Sequence, residues 1–417
     1  MRRSRPRRVL RYLLATGCAW GAVSALAQGI SPGALSPEVY KLPGGFEPSV
    51  QLRTFYFDTE SISGAKSEAW AVGGWAGVRS PWWGDLFQIG VLGYTSQKLY
   101  GPDDKDGTRL LMPGQKSFSV LGEAWGALKV FDQTLTGYRQ LINRPYINPQ
   151  DNRMVPNTFE AYTLTGAASG VSYTGGYIAK MKTRNSDSFD WMSTVAGSKG
   201  THKGVGFAGA TWDFTKNGYL RMDEQYVTDL FNNFYVDAKY PIAIDAETLL
   251  VLGAQYTSQR SIGKEFIGDF STYHAGVQAA LSRGPFGVQL YYTQNGNGFD
   301  SQNPFGDHAS YLNLMHVAFN TAGEKTWAIG GNVNFASLGV PGLTASAIYA
   351  SSNDRKNAAN GALNPDREET DLRADYAFGK DTALSGLVAT LRGGWLHQEG
   401  SPTAFQLRAI LNYAIPF

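Results

Sequence analysis

The chain has one cysteine in 417 residues. It therefore has no disulfide framework and no multi-cysteine zinc or iron–sulfur site. Charged residues make up 17%, below the roughly 25% of soluble domains. No run of about 18 apolar residues occurs, which excludes a bundle of membrane-spanning helices. No H-E-x-x-H, G-x-x-x-x-G-K-[ST] or G-x-S-x-G is present, and the five histidines (His202, His274, His308, His316, His397) are scattered. Zincin, P-loop and α/β-hydrolase chemistry thus lack their motifs. What the chain has is 49 Gly, 22 Tyr and 22 Phe. Aromatic residues at that level exclude intrinsic disorder. An all-β protein remains, in water or in a membrane.

Met1 to Arg11 carries six arginines and no acid. An apolar stretch, Tyr12 to Val23, follows and ends in Ala25-Leu26-Ala27. This order reads as a secretory signal peptide over residues 1–27, cleaved before Gln28. Cys18 is then discarded with it. Removing the six arginines leaves 31 basic against 35 acidic residues. The formal +2 of the whole chain gives no support to nucleic-acid binding. Residues 28–47 read as a lead-in and 48–417 as one barrel domain.

Period two dominates the C-terminus. Phe405, Leu407, Ala409, Leu411, Tyr413, Ile415 and Phe417 alternate with Gln406, Arg408, Ile410 and Asn412. A strand places such sets on opposite faces. Leu372, Ala374, Tyr376 and Phe378 alternate with Asp371, Arg373 and Asp375; Leu387, Ala389 and Leu391 alternate with Thr390 and Arg392. A packed soluble core rejects charges so placed. A barrel shows the apolar set to lipid and turns the polar set to a wet lumen. The final Phe417, after an alternating strand, resembles the ending that Gram-negative outer-membrane barrels present for recognition.

Eight short turn-like stretches punctuate the chain, at 80–85, 130–133, 167–170, 215–218, 241–246, 282–285, 337–342 and 378–384. Longer polar segments lie between them. Eight turns on one side, with both termini there, predict nine hairpins and 18 strands. Tyr311 to Phe319 also reads as a strand but breaks the parity. It is expected in a long loop, about 295–325, folded back into or over the pore. Trp82 and Trp83 beside a turn read as an interfacial girdle, with core packing as the alternative. Gly204-Val205-Gly206-Phe207-Ala208-Gly209 matches G-x-G-x-x-G, yet no helix follows, so it reads as a strand. Asp103 to Gly107 is half a calcium loop lacking its Glu. It reads as a solvated outer loop, with weak calcium binding as the alternative.

Several segments, in order, resemble the OprD family of outer-membrane porins: Leu52-Arg53-Thr54-Phe55-Tyr56-Phe57, Asn152-Arg153-Met154-Val155-Pro156-Asn157-Thr158-Phe159, the turn Asn334 to Leu343, Asp371 to Tyr376, and Leu391 to Trp395. The resemblance implies an 18-stranded antiparallel transmembrane β-barrel, a monomer or loose homotrimer. Its third outer loop, here about 141–157, would fold inside as the constriction, placing Tyr146, Asn148, Asp151, Asn152 and Arg153 there. It also implies a lumen ladder of arginines that guides carboxylates: Arg373, Arg392 and Arg408, and Arg53, which shares its face with Phe55 and Phe57. Alternation by itself puts the first three on the lumen face, with Asp371, Asp375, Gln406 and Asn412. Departures from relatives stand at Thr390 and Asn412.

The expectation is an outer-membrane porin passively admitting small, carboxylate-bearing solutes such as amino acids or organic acids. It has no catalysis, cofactor, metal or nucleic-acid partner. Its partners would be outer-membrane lipid and lipopolysaccharide, and the barrel-assembly machinery through Phe417. The rivals are a barrel enzyme, for which no Ser/His or acidic dyad is evident, and a plugged structural barrel.

Overall fold

The computed structural model describes residues 41–415. Cys18, the expected cleavage after Ala27 and the terminal Phe417 lie outside the described residues. Eighteen long strands follow one another in chain order, each antiparallel to its sequence neighbour. They are β1 (Glu47–Glu60), β2 (Lys66–Arg79), β3 (Phe87–Tyr100), β4 (Phe118–Val130), β5 (Gln133–Gln140), β6 (Thr158–Ala168), β7 (Val171–Lys182), β8 (Val205–Thr215) and β9 (Gly218–Val227). There follow β10 (Phe231–Ala243), β11 (Thr248–Ser261), β12 (Ser271–Arg283), β13 (Phe286–Asn295), β14 (Lys325–Asn334), β15 (Leu343–Asn353), β16 (Arg367–Ala377), β17 (Leu387–Gln398) and β18 (Ala404–Ala414). A two-residue strand, Asp190–Trp191, and the helical turn α1 (Met192–Val195) sit in the connection between β7 and β8.

β18 pairs with β1, from Gln51 opposite Ala414 to Glu60 opposite Phe405. That pairing closes the sheet and removes its edges. One end carries the eight tight connections at 80–86, 131–132, 169–170, 216–217, 244–247, 284–285, 335–342 and 378–386. Each overlaps an expected turn; five are shorter than expected because the strands run further, and three, 80–86, 335–342 and 378–386, are longer. Pro241 lies inside β10, opposite Val251. Near a strand's end the missing N–H of proline is tolerated. The other end carries nine connections, including 101–117, 141–157, 183–204 and 296–324.

Alternation decides the two faces. Leu391 is 54% exposed while its neighbour Arg392 is 5% exposed. Leu372, Trp395 and Leu411 share the outer face with Leu391; Gln406, Arg408 and Asn412 are buried on the inner one. Loop residues join the inner face in apolar clusters. Leu110, Leu111, Met154 and Val155 pack with Phe55 and Phe57. Leu312 and Phe319 pack with Tyr291 and Ile348.

Leu391→Arg puts a charge on the lipid face and is expected to destabilise the barrel by about 2–4 kcal/mol. Thr134→Arg, on the inner face, should leave the urea midpoint in lipid vesicles nearly unchanged. Equal shifts would contradict the assigned faces.

Candidate functional site

Three adjacent strands bring three arginines into one row. Arg373 on β16 stands directly opposite Arg392 on β17, and Arg392 opposite Arg408 on β18. Phe57 on β1 continues the row, with the Arg408 guanidinium 4.7 Å from its ring centroid. Like charges directly opposite each other destabilise a sheet. Neighbours offset part of that repulsion. Arg373 pairs with Asp375 at 2.6 Å, and Asp375 also accepts from Thr390 at 2.6 Å. Arg408 donates to Gln406 Oε1 and, at 3.1 Å, to the Met315 carbonyl.

Arg53 plays a different part from the row. It donates to Asn412 Oδ1 at 2.7 Å, to both Asp151 oxygens at 2.6 and 3.1 Å, and to the carbonyls of Arg153 and Met154. A buried guanidinium with five such bonds holds the 151–154 segment against β1. Arg153 reaches the Thr108 carbonyl at 2.6 Å and lies 4.8 Å over Phe57. Asn152 Oδ1 accepts from Arg153 and from Arg184. Burial lowers the pKa of Arg153, and nearby Arg184, Arg408 and Arg109 act in the same direction. Burial also brings Arg184 down to about 10, against the opposing pull of Asp307. Arg53, Arg153, Arg373, Arg392 and Arg408 all line one cleft of about 30 Å³.

The rest of 141–157 is tied to the far wall. The Tyr146 hydroxyl bonds Thr257 Oγ1 at 2.8 Å and His308 Nε2 at 3.3 Å. Arg144 pairs with Asp223 at 2.6 Å, and the Pro145 carbonyl accepts from Gln225. Asn148 joins 141–157 to 296–324 by accepting from the Asp307 N–H at 2.9 Å. A Cβ on Gly306 would sit 2.4 Å from Asn148 Oδ1, so only glycine permits this approach.

Segment 296–324 docks against the row. Met315 N–H donates to Asp371 at 2.9 Å. His316 and Val317 N–H donate to Glu369 at 2.6 and 3.1 Å. Gln406 donates to the Met315 carbonyl at 3.1 Å. Gly394 leaves room for Met315, because a Cβ there would stand 3.3 Å from it and 2.7 Å from Asp371. Asp371 and Gln406 therefore hold a loop as well as facing inward. Glu369, Arg184 and Asp307 join the site without having been expected there. Glu369 was accessible to the same reasoning, since it shares the parity of Asp371 and Arg373. Arg184 and Asp307 sit on loops, where no periodicity marks them.

Other motifs resolve simply. Gly206 to Gly209 lie in strand β8. Asp106 accepts from the backbone N–H of Gly107 and Gly114, which makes it a turn brace. Trp83 is exposed and stacks on Phe87, whereas Trp82 is half-buried beneath Lys129.

A closed 18-stranded barrel with an apolar exterior and an arginine row inside is a membrane channel architecture. The family model described as outer membrane porin, OprD family, matches residues 44–417. The chain belongs to the OprD family. It is 25% identical over 399 residues to Porin D of Pseudomonas aeruginosa, covering 87% of this chain and 89% of that one. The fold is also that of the P. aeruginosa OccK9 (OpdG) crystal structure, at TM-score 0.82 and 22% identity, covering 91% of this chain and all of that one. The P. aeruginosa OpdK structure with vanillate matches at TM-score 0.80 and 18% identity, covering 89% and 98%. Membership in this family makes the protein a substrate-specific outer-membrane channel through which small solutes pass.

Asp151→Asn removes one partner of the buried Arg53 pair, a change that typically costs about 3–5 kcal/mol. It is expected to release the 151–154 segment and raise single-channel conductance, with heat-modifiable gel mobility retained. Unchanged conductance would mean that the pair does not restrict the pore.

Proposed function

We propose that this porin selects small carboxylate-bearing solutes, amino acids or organic acids, and passes them down their gradient without catalysis. The observation carrying this reading is the row Arg373–Arg392–Arg408, three guanidiniums directly opposite one another across three strands. Such a row is costly to the fold and suited to an anion. Guanidinium binds carboxylate through forked, charge-assisted bonds. Several adjacent sites let an anion enter without a single deep trap, as conduction requires.

In this reading 141–157 folds into the lumen as the constriction, with Tyr146, Asn148, Asp151, Asn152 and Arg153 at the eyelet. Its bonds to Arg53, Asp223 and Thr257, on three separate strands, support that placement. Arg53 serves as the anchor of the constriction, and Asp375 and Asn412 set the row and the anchor in place. Contact with lipopolysaccharide, delivery by the barrel-assembly machinery through Phe417, and a monomeric or loosely trimeric state belong to the same reading.

Arg392→Gln with Arg408→Gln should weaken carboxylate block of the single channel by about 10–100-fold, the worth of one or two charge-assisted bonds. Reversal potential in a salt gradient should shift toward cation selectivity. An unchanged reversal potential would remove the row from the mechanism.

A further inference from the structure

The wall opposite the arginine row holds a second, larger cavity. In an 18-stranded barrel, half a turn from β18, the strand of Arg408, is β9, the strand of Arg221. A space of about 430 Å³ starts there and runs along β9–β13 to Ile348 on β15, closed by loop residues around 143–148 and 307–314. That volume lies within the ~300–1,000 Å³ of small-molecule sites. Register fixes its floor: Arg221 on β9 faces Asp237 on β10, and Tyr219 faces Lys239. Both Asp237 oxygens are already engaged, by the Tyr219 hydroxyl at 2.6 Å and the Tyr311 hydroxyl at 3.1 Å. Asp237 thus orients two tyrosines.

The cations beside it are less well served. Among the described residues, neither Arg221 nor Lys239 has a carboxylate within ion-pair distance. Arg221 makes one long bond, 3.3 Å to Thr211, and leans over the Tyr219 ring at 5.2 Å. The other lining charges are offset: Arg144 by Asp223, and Asp307 by the adjacent Arg153 and Arg184. Arg221 and Lys239 against Asp237 leave this wall with an excess positive charge. Neutral donors stand open as well. The hydroxyls of the buried Tyr235 and Tyr291 and the amide of Gln278 have no hydrogen-bond partner among the described residues. Their polar atoms are not sealed from solvent, so they open onto the cavity, where a solute hydroxyl can bond them in place of water.

We propose that this cavity is a second anion station, on the wall opposite the row, built for a carboxylic acid that carries several hydroxyl groups. Arg221 and Lys239 take the carboxylate; Tyr235, Tyr291 and Gln278 take hydroxyls. The station deepens the carboxylate reading and rests on it. It also narrows the solute class, since the row reads only a carboxylate.

The test is single-channel block of the purified full-length protein by gluconate and by hexanoate, which share a charge and differ in hydroxyls. Arg221→Gln with Lys239→Gln should raise the gluconate dissociation constant about tenfold, one charge-assisted bond. Tyr291→Phe, which removes one hydroxyl and keeps the ring, should raise it about threefold, one neutral bond, and leave hexanoate unchanged. An unchanged gluconate constant in the Arg221/Lys239 variant overturns the station, and an equal shift of both acids in Tyr291→Phe overturns its selectivity for hydroxyls. The Arg392/Arg408 variant separates the two claims. A gluconate effect there alone leaves the row and removes the station; an effect in the Arg221/Lys239 variant alone does the reverse; no effect in either removes both.

Discussion

Within hydrocarbon no water is available to a peptide N–H or C=O, so a sheet that crosses it must leave no edge. The pairing of β1 with β18 meets that requirement, and much else follows from it. Closure gives every strand one lipid face and one lumen face. Leu391 and Arg392, adjacent in sequence, consequently live in opposite environments. Charge that no soluble core would accept becomes affordable on the inner face, where it can be hydrated or bonded by other side chains.

The inner face is then filled unevenly. On the β16–β18 side, repulsion along Arg373–Arg392–Arg408 is moderated by Asp375 and by the backbone of Met315. The acids of β16, Glu369 and Asp371, spend their oxygens on N–H groups of 315–317. One loop thus draws on both signs of charge in the same wall: its amides satisfy the acids, and its carbonyl satisfies an arginine. Segment 141–157 uses the same economy at Arg53, where one guanidinium meets a carboxylate and two carbonyls. Glycines 306 and 394 matter because such backbone contacts need close approach.

How much of this was legible in the sequence depends on whether a residue sits on a strand. Period two identified the inner face of β16–β18 residue by residue, including all three arginines of the row. Turn chemistry located all eight tight connections and, through parity, kept Tyr311 to Phe319 out of the strand count. Periodicity says nothing of depth or partner, however. Arg53 shares the parity of an inward residue, but its role as a loop anchor depends on Asp151, 98 positions away. Arg184 and Asp307 lie on loops, where no repeat marks a side chain as inward. The pair Trp82 and Trp83 shows the same limit at one turn: identical residues, one exposed and one beneath Lys129.

The register of the sheet supplies what periodicity alone does not. Alternation says only that Arg373, Arg392 and Arg408 face inward; pairing makes them direct neighbours rather than three charges at different depths. The same logic acts on the far wall, where pairing sets Arg221 against Asp237 and Tyr219 against Lys239. There the acid is taken by hydroxyls, and among the described residues its neighbouring cations have no ion pair. The two walls therefore present positive charge in different company, arginines with loop carbonyls on one side and cations among tyrosines on the other. On the proposed reading, a solute crossing between them meets two different tests of its chemistry, charge at the row and hydroxyl pattern at the station. A narrow passage can be selective in this way without binding any solute too tightly to release it.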